Sequence, residues 1–425
     1  MHHSCTVSTF IFSTLLLTLG ACSTPKIIAH TESKQFTQAE IEQVHSKAFV
    51  LDAHADIEIP GKESRYVGDD GLSKVSPSKM RTGGVDAVVM AIAVGPGPRN
   101  AEGYAKARTI ANEELAAVID LTQDPKNRLI LALSAEDLIH AHRDNKGALI
   151  LGFQNARILG NKVSAIDDFY AAGVRVFALT HMGHNAFADS SRPIFIAAKG
   201  QHEALEEHGG LSDLGIAAIN RINSLGGIVD ISQLSKAATL QVLEYSSSPV
   251  IASHSNVRHL SDVSRNLSDE EIDLIGKKGG VIHIAPFRGY LFDSSDKTLV
   301  RNIHIARRAA GIKEDYLYPF ELYWEIKDSK VQQSFLKTVS DLLGPSSIDD
   351  MVNHIDYIVQ RIGIDHVGIG TDFNHGSGIQ GFDDASEAMS VTRVLLSRGY
   401  SAQDIEKIWG GNFIRVFRAA ADGKK

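Results

Sequence analysis

Histidine and aspartate side chains stand at the ends of several short apolar segments, and these residue types bind metal ions. His54 and Asp56 lie two residues apart in DAHAD. His254 closes an apolar run in ASHS, and Asp372 closes another in GTDFN. Because alternate side chains of a β-strand face the same way, His54 and Asp56 can reach one ion, although a histidine paired with a neighbouring acid has the same pattern. Nitrogen and oxygen ligands without a thiolate suit Zn²⁺ or a similar divalent ion.

Eight short, β-branched apolar segments predict the strands that must carry these residues. They lie at about 49–54, 85–94, 147–153, 174–180, 227–232, 249–253, 280–285 and 366–371. Amphipathic segments with helical spacing, such as 217–225 and 235–245, lie between them. Ser268 stands three residues before Glu271 and predicts a capping box at the start of another helix.

Near-continuous apolar strands alternating with helices indicate an α/β fold with a parallel sheet covered on both faces. Eight such units favour a closed (β/α)8 barrel of the TIM type over an open, doubly wound sheet. In such a barrel the catalytic groups lie at the C-terminal ends of the strands, which is where this sequence has its histidines and aspartates. No glycine-rich loop with nucleotide-binding spacing follows a strand, so a nucleotide site has no support. The segment 286–330 departs most from the alternation and is interpreted as a lid or a dimer arm.

The composition is that of a globular protein, with 43% hydrophobic and 22% charged side chains. A length of 425 residues accommodates one barrel-sized domain or two ordinary ones, and no proline-rich linker divides the chain. The formal net charge is -8 and no basic stripe is available to neutralise phosphates. We therefore expect no nucleic-acid partner.

The N-terminal segment has the length and apolar character of a secretory signal peptide. Its end, LGAC at 19–22, resembles a bacterial lipobox, in which Cys22 is lipidated and becomes the mature N-terminus. An ordinary cleaved signal or a short anchor helix is the alternative. We predict a signal peptide at 1–21, a lipidated N-terminus and polar tether at 22–40, and the barrel domain at 41–425. The expected location is the bacterial cell envelope, with lipid anchoring to the outer membrane on its periplasmic face.

Longer motifs occur in an order that is specific to one group of enzymes. They include LDAHAD, LTHMGHNAFADSS, PVIASHSNVRHL, HIDYIVQRIGIDHVGIGTDF and IWGGNFIRVF. Through nearly the whole chain after the leader, the sequence resembles the membrane (renal) dipeptidase family of zinc peptidases, which are amidohydrolase-like (β/α)8 enzymes. The resemblance implies a metallo-dependent hydrolase that cleaves small dipeptides. It also implies a homodimer, since members of the family are often dimers.

The resemblance implies roles for the histidines and aspartates at the strand ends. In that family the pair matched by His54 and Asp56 binds the first zinc ion, and the aspartate matched by Asp372 closes the same site. The histidine matched by His254 binds the second zinc ion. Two further matches concern the substrate. The first is the histidine matched by His181, which polarises the carbonyl group of the substrate.

The arginine of the motif RNL completes this set, since the residue matched by Arg265 receives the carboxylate of the dipeptide. A bidentate arginine–carboxylate pair is a strong, oriented contact. The expected mechanism is attack of a zinc-activated water on the scissile carbonyl. Asp372 would receive the proton of that water, and His181 would stabilise the oxyanion.

Two positions depart from the family pattern. Gln154 stands where the glutamate that bridges the two metal ions is expected, and Gln233 stands where a further histidine of the second zinc is expected. A bridging carboxylate offsets the repulsion between two cations, whereas a neutral amide offers only a weak carbonyl oxygen. We therefore predict one zinc ion, or two in a strongly asymmetric site, with Gln154 and Gln233 as weak ligands.

These departures leave two alternatives open. One is another metal-dependent amidohydrolase, acting on an N-acyl amino acid or a lactam. The other is a ligand-binding lipoprotein whose catalysis is impaired. Neighbouring polar residues have secondary assignments: His184 and Asn185 shape the pocket or its loops, Asn374 and His375 offer donors to a second ion, and Asp230 supports the site by hydrogen bonds.

Overall fold

The computed structural model describes residues 1–2, 35–196, 201–312, 320, 323 and 326–424. The compact folded unit is Gln35–Lys425. Cys22 and nearly all of the leader and tether lie outside the described residues, so the lipid anchor, the envelope location and the domain limits stay predictions. Within the described part of the chain, none of the helices has the length and apolar character that a bilayer crossing requires.

Eight parallel strands form the wall of a barrel, and three further short strands accompany them. The strands are β1 Leu51–Asp56, β2 Ala87–Ala93, β3 Leu129–Leu131, β4 Gly147–Gln154, β5 Val174–Ala178, β6 Phe195–Ile196, β7 Gln201–His202, β8 Ile228–Asp230, β9 Ile251–Ala252, β10 Val281–Ile284 and β11 Val367–Ile369. The wall runs in the order β1-β2-β4-β5-β8-β9-β10-β11. The predicted (β/α)8 barrel is confirmed, and each predicted strand overlaps one strand of the wall.

The helices are α1 Gln38–His45, α2 Pro77–Gly83, α3 Ala101–Gln123, α4 Ala135–Arg143, α5 Ala165–Ala171, α6 Asp213–Leu225, α7 Lys236–Tyr245, α8 Asp269–Lys277, α9 Arg288–Leu291, α10 Lys297–Ala309, α11 Ser329–Leu343, α12 Ile348–Ile362, α13 Ala388–Ser397, α14 Ala402–Glu406 and α15 Asn412–Asp422. The predicted helical segments coincide with α6 and α7. The predicted capping box is also confirmed, because Ser268 and Glu271 bond reciprocally at the start of α8.

Burial on both faces explains the near-continuous apolar runs of the strands. In β2, which reads AVVMAIA, Val88, Met90 and Ile92 belong to one apolar cluster. Ala87 and Val89 belong to a second cluster. Alternate residues of a strand point to opposite faces, so both faces of this strand are packed. A strand in this setting cannot show the polar–apolar alternation of a half-exposed sheet.

The barrel closes between β1 and the residues that follow β11. The carbonyl of His54 accepts the backbone N–H of Asp372 at 2.8 Å. Thr371 strengthens this seam, because its backbone N–H and its hydroxyl donate to the two carboxylate oxygens of Asp52 at 2.7 and 2.6 Å. Burial raises the pKa of Asp52 to about 6, although these hydrogen bonds act against the rise. The seam places the DAHAD segment at the end of β1 beside the GTDFN segment that follows β11.

Two features of the fold are not predicted by the strand pattern. β3 pairs with the first half of β4, on the edge that β5 occupies farther along, and its three residues are too few for a periodic signal. β6 and β7 form a separate antiparallel hairpin.

The segment 286–330 contains α9 and α10 among its described residues. Tyr290 and Phe292 from this segment are buried against Val263, so the described part around α9 packs against the loop that follows β9. The interpretation of the segment as a lid or a dimer arm stays a prediction.

A glycine at the seam allows a close backbone approach and yields a test of the fold. A Cβ on Gly370 would lie 1.7 Å from the carbonyl oxygen of Ser253, whereas a Cβ on Gly95 would meet nothing within 4 Å. We expect Gly370→Ala to lower the free energy of unfolding by about 3 kcal/mol, because backbone must move to admit the methyl group. Urea unfolding followed by circular dichroism measures the change. Gly95→Ala is the control and should unfold like the parent; equal stability of the two variants would contradict the packing at the seam.

Candidate metal centre and active site

Three ligand types meet at the seam of the barrel. Ligand atoms of His54, Asp56 and Asp372 all lie within 4.8 Å of one another. Nε2 of His54 is 3.4 Å from an oxygen of Asp56 and 4.0 Å from an oxygen of Asp372. The strand ends position them, since His54 and Asp56 end β1 and Asp372 follows β11 across the closing hydrogen bonds. The structure thus brings together the residues that the sequence analysis selected for the first metal ion.

The donor set fits a divalent cation. Nε2 of His54, Oδ1 of Asp56 and Oε1 of Gln154 are buried side-chain atoms that have no hydrogen-bond partner among the described residues. Leaving such atoms buried without a partner costs free energy, which a bound cation would offset. The carboxylates of Asp56 and Asp372 together carry the charge that balances a divalent ion. Imidazole nitrogen with carboxylate oxygens is a donor set that suits zinc.

The environment of His254 differs from that of the first cluster. Its Nε2 faces the side-chain amides of Gln154 and Gln233, with amide nitrogens at 3.5 and 3.3 Å. Its ring stacks on that of His54, with the centroids 3.8 Å apart. Burial holds the pKa of His254 well below its usual value, and the positive charge of Arg265 adds to the effect. His254 is therefore a neutral imidazole with no carboxylate at its Nε2.

A serine links the two histidines to a buried acid. The hydroxyl of Ser253 donates to Asp230 at 2.6 Å. The same oxygen lies 2.7 Å from Nδ1 of His254 and 3.3 Å from Nδ1 of His54. Because the hydroxyl hydrogen goes to the carboxylate, both rings must donate from Nδ1, and this network assigns the Nε2 lone pairs to the site. Asp230 also accepts the N–H groups of Ser232 and Ser253 at 2.9 and 3.0 Å. Although its carboxylate lies within reach of both histidines, these bonds make it a support for them.

His375 orients the carboxylate of Asp56 from the solvent side. Its Nδ1 lies 2.7 Å from the second oxygen of Asp56, and its ring stacks on Tyr66 with the centroids 5.5 Å apart. Burial would raise the pKa of Asp56, but His375 and His54 reverse this and hold it below its usual range. The interpretation of Asn374 as a donor to a second ion stays a prediction. Its amide nitrogen donates to the Asp56 carbonyl and to Ser73, and its oxygen accepts the N–H of Lys74.

The two residues assigned to the substrate lie beside this cluster. His181 packs edge-on against His375, with the ring centroids 5.2 Å apart. Burial, then the charges of His375 and Arg192, lower the pKa of His181 well below its usual value, so its imidazole is neutral. Arg265 is buried and donates to the hydroxyl of Ser255 at 2.9 Å and to the carbonyl of His254 at 2.7 Å. Each terminal nitrogen keeps a second hydrogen for a ligand.

A cavity of about 700 Å³ lies next to the cluster, because His375, which bonds Asp56, is on its wall. Its wall is aromatic and cationic, and includes Tyr66, Arg192, Phe287, Tyr290, Tyr323 and His375. A volume of this size accepts a small peptide or amide.

Two other residues named from the sequence have structural roles instead. His184 accepts the N–H of Ser190 at 2.9 Å and contacts the carbonyl of Ala204 at 2.8 Å, while Asn185 caps its own loop.

The family is settled by comparison with known proteins. The model of the family described as membrane dipeptidase (peptidase family M19) matches residues 38–425. The chain belongs to this family. Among curated relatives, dipeptidase tcpJ of Claviceps purpurea is 29% identical over 309 residues, which are 72% of this chain and 58% of that protein. Dipeptidase 3 of Homo sapiens is 28% identical over 294 residues, which are 69% of this chain and 48% of the relative. The chain thus spans only about half the length of such relatives.

Solved structures agree with the fold of a membrane dipeptidase. The crystal structure of the probable dipeptidase PvdM from Pseudomonas aeruginosa has a TM-score of 0.80 and 32% identity, and the match covers 91% of this chain and 98% of that one. A metallopeptidase from Rhodobacter sphaeroides has a TM-score of 0.67 and 18% identity, covering 87% of this chain and 99% of that one. Its structure holds a phosphinate mimic of the dipeptide L-Ala-D-Ala. At this identity the second match supports the fold alone.

Three polar contributors have no role assigned from the sequence. Ser253 stands next to His254 in the sequence, and a small hydroxyl residue at a strand end is a signal that could have identified it. Arg192 donates to Oε1 of Gln233 at 2.9 Å, across 41 residues of sequence, and no local pattern indicates that contact. Glu114 on α3 accepts the N–H of Ala93 at 2.7 Å, at the end of β2.

Replacement of Ser253 is expected to lower the affinity of the site for zinc. Ser253→Ala removes the oxygen that fixes the Nδ1–H tautomer of both histidines, and we expect zinc affinity to fall about 10- to 100-fold. Competition with a fluorescent zinc chelator measures it. Ser246→Ala is the control, because this buried serine bonds Asn223 and Ser248 away from the site. Unchanged zinc affinity in Ser253→Ala would contradict the role given to the serine.

The buried carboxyl group of Glu114 is expected to make the stability of the folded protein depend on pH. Burial raises its pKa from 4.5 to about 8, with the charge of Asp56 contributing. The unfolded chain releases this proton near the ordinary value, so between the two pKa values the folded state binds more protons and stability falls as pH rises. We expect Glu114→Gln to show a smaller drop in Tm than the parent between about pH 5 and pH 8. Glu113→Gln is the matched control, since Glu113 is exposed and pairs with Lys62. Identical profiles for parent and Glu114→Gln would refute the prediction.

Proposed function

We propose that this chain is a metal-dependent dipeptidase that works with one tightly bound divalent cation, zinc, held by His54, Asp56 and Asp372. The observation that carries the proposal is the meeting of these three side chains, two of which, His54 and Asp56, have buried ligand atoms without a hydrogen-bond partner among the described residues. A cavity of about 700 Å³ lies beside them, with His375, which bonds Asp56, on its wall. Membership of a dipeptidase family supports the reaction class. Arg265 beside the cluster supports a substrate with a free carboxylate.

The single-cation site follows from the charges of the residues present. Asp56 and Asp372 balance one divalent ion. On the other side, His254 has two neutral amides at its Nε2 and the guanidinium of Arg265 bonded to its carbonyl. A second cation there would gain no carboxylate bridge to screen it from the first. One ion, with Gln154 as a weak further donor, is the arrangement that these side chains favour.

Each residue of the cluster has a chemical task. When bound, the cation would supply Lewis acidity, which activates water and polarises a carbonyl. Asp372 holds the proton that the water releases, and burial suits it to this task because burial raises the pKa of its carboxyl group. His181, kept neutral, donates an N–H to the carbonyl oxygen of the substrate. Arg265 fixes the substrate carboxylate and so sets the scissile bond above the cluster.

Turnover and metal content test the proposal together. We expect one zinc ion per chain, loss of dipeptide hydrolysis in EDTA and its return with added zinc. Asp372→Asn should lower kcat at least about 100-fold, because the amide cannot take the proton. Asp365→Asn is the control, since Asp365 lies before the other end of β11 and pairs with Lys407.

The substrate panel contains dipeptides of both stereochemistries and N-acetyl amino acids, with amino-acid release as the signal. Cleavage of N-acetyl amino acids alone would replace the dipeptidase with another amidohydrolase. A chain that binds no metal and hydrolyses nothing with added zinc would be a ligand-binding protein, and the proposal would fall.

A further inference from the structure

A buried arginine stands on the His254 side of the site. Nη2 of Arg192 donates to Oε1 of Gln233 at 2.9 Å, and Nε2 of Gln233 lies 3.3 Å from Nε2 of His254. The three side chains are 7%, 5% and 0% exposed, in that order. A guanidinium, an amide and an imidazole therefore form a continuous chain from the cavity wall to the metal cluster.

The backbone fixes both ends of the Arg192–Gln233 contact. Gln233 has φ of 70°, a left-handed conformation that is unusual for a residue with a side chain. Its carbonyl accepts the N–H of Ser191 at 2.9 Å and the hydroxyl of Ser190 at 3.3 Å. The carbonyl of Arg192 in turn accepts the N–H of Gly183 at 2.9 Å. Strained backbone held by several bonds is a feature of sites whose side chains must point in one direction.

The charge of Arg192 reaches the groups that handle the substrate. It contributes to lowering the pKa of His181, after burial and His375, and that of Arg265, after burial. Arg192 also lies on the wall of the cavity, with Tyr66 and His375. The loop of Arg192 also lies against that of His181, because the Ser190 hydroxyl donates to the carbonyl of His181 and the N–H of Gly183 donates to the carbonyl of Arg192.

We propose that Arg192, held by Gln233, supplies on the His254 side of the site the positive charge that a second metal ion would bring there, and binds the oxyanion that forms on the scissile carbonyl. The inference rests on the single-cation function proposed above and deepens it. Gln154, Gln233 and Arg192 then act together. The amide of Gln154 stands in place of the bridging carboxylate, the amide of Gln233 stands in place of the imidazole, and the guanidinium of Arg192 takes the place of the second cation. A guanidinium suits this place because it stays charged when buried and directs several donors at an anionic oxygen.

Metal content tests the charge replacement without any turnover. The probe is zinc, counted by plasma mass spectrometry after gel filtration. The parent and Gln154→Glu/Gln233→His are expected to hold one ion per chain. Although Gln233→His removes the amide that bonds the guanidinium, the backbone bond at the carbonyl of Arg192 remains, so its charge stays on this side and repels a second cation. Adding Arg192→Met to the double variant should bring the content to two. If the double variant already holds two ions, and Arg192→Met adds nothing, the replacement is wrong.

Kinetics with the zinc-loaded chain test the oxyanion contact. We expect Arg192→Met to lower kcat about 10- to 100-fold with little change in KM, because the contact strengthens only as charge develops. Affinity for a phosphinate dipeptide analogue, measured by calorimetry, should fall by a similar factor. Arg192→Lys keeps the charge and should recover part of both losses. Arg108→Met, at a partly exposed arginine that packs on Phe169 away from the site, is the control for loss of a guanidinium.

The outcomes separate this inference from the proposed dipeptidase. A parent that turns over dipeptides with one zinc ion, beside an Arg192→Met variant with unchanged kcat and phosphinate affinity, would refute the inference and leave the function standing. A raised KM with unchanged kcat would also refute it, since Arg192 would then bind the ground state. Thermal unfolding of each variant confirms that it is folded. If Arg192→Met does not fold, the inference is tested by the kinetics of Arg192→Lys and by the zinc content of the double variant.

Discussion

The closing seam of the barrel is the constraint on which the site depends. Two backbone hydrogen bonds, from Asp56 to Phe373 and from Asp372 to His54, join the first strand to the residues after the last one. The same short segments carry the ligands, so closing the wall and assembling the cluster are one event. A closed barrel has no strand edge at which the two halves could slide. Metal affinity and folding should therefore be coupled more tightly here than in a site built on loops.

Charge decides what the rest of the site can hold. The carboxylates of Asp56 and Asp372 are on the seam, whereas the groups at Nε2 of His254 are two amides and, beyond one of them, the guanidinium of Arg192. The carboxylate of Asp230 is linked to the other ring nitrogen of His254 through the hydroxyl of Ser253. A buried cation without a paired anion is costly, which limits this side to a group that the protein itself supplies. In the arrangement that we propose, the second positive charge belongs to a side chain and not to a bound ion. Such a site would no longer depend on the concentration of free metal for that charge.

Much of the architecture could be predicted from the sequence because its signals are local. Eight apolar runs gave eight strands, and His54, Asp56 and Asp372 could be selected because chemistry and strand ends coincide. The missing parts depend on contacts between distant loops. Arg192 meets Gln233 across 41 residues, and β3 is only three residues long. The structure shows these residues side by side, whereas the metal, catalytic and substrate roles of His54, Asp56, Asp372, His254, His181 and Arg265 stay predictions.

Backbone strain connects these observations. Asn155, Gln233, Asp372 and Asn374 all have positive φ, and each lies at or just after the C-terminal end of a wall strand. Each such residue costs about 1 kcal/mol or more, so the surrounding bonds must over-determine its conformation. At Asp372 the N–H bond to His54 does so, and at Gln233 the carbonyl bond to Ser191 does so. Of these four residues, Gln233 and Asp372 have side chains that face the site, whereas Asn155 and Asn374 bond the backbone of neighbouring strand ends. Two further described residues with positive φ, Arg128 and Asn145, precede strands β3 and β4. Strain at Gln233 and Asp372 is thus the part that serves the site, because it fixes the direction of two side chains that a metal or a substrate would contact.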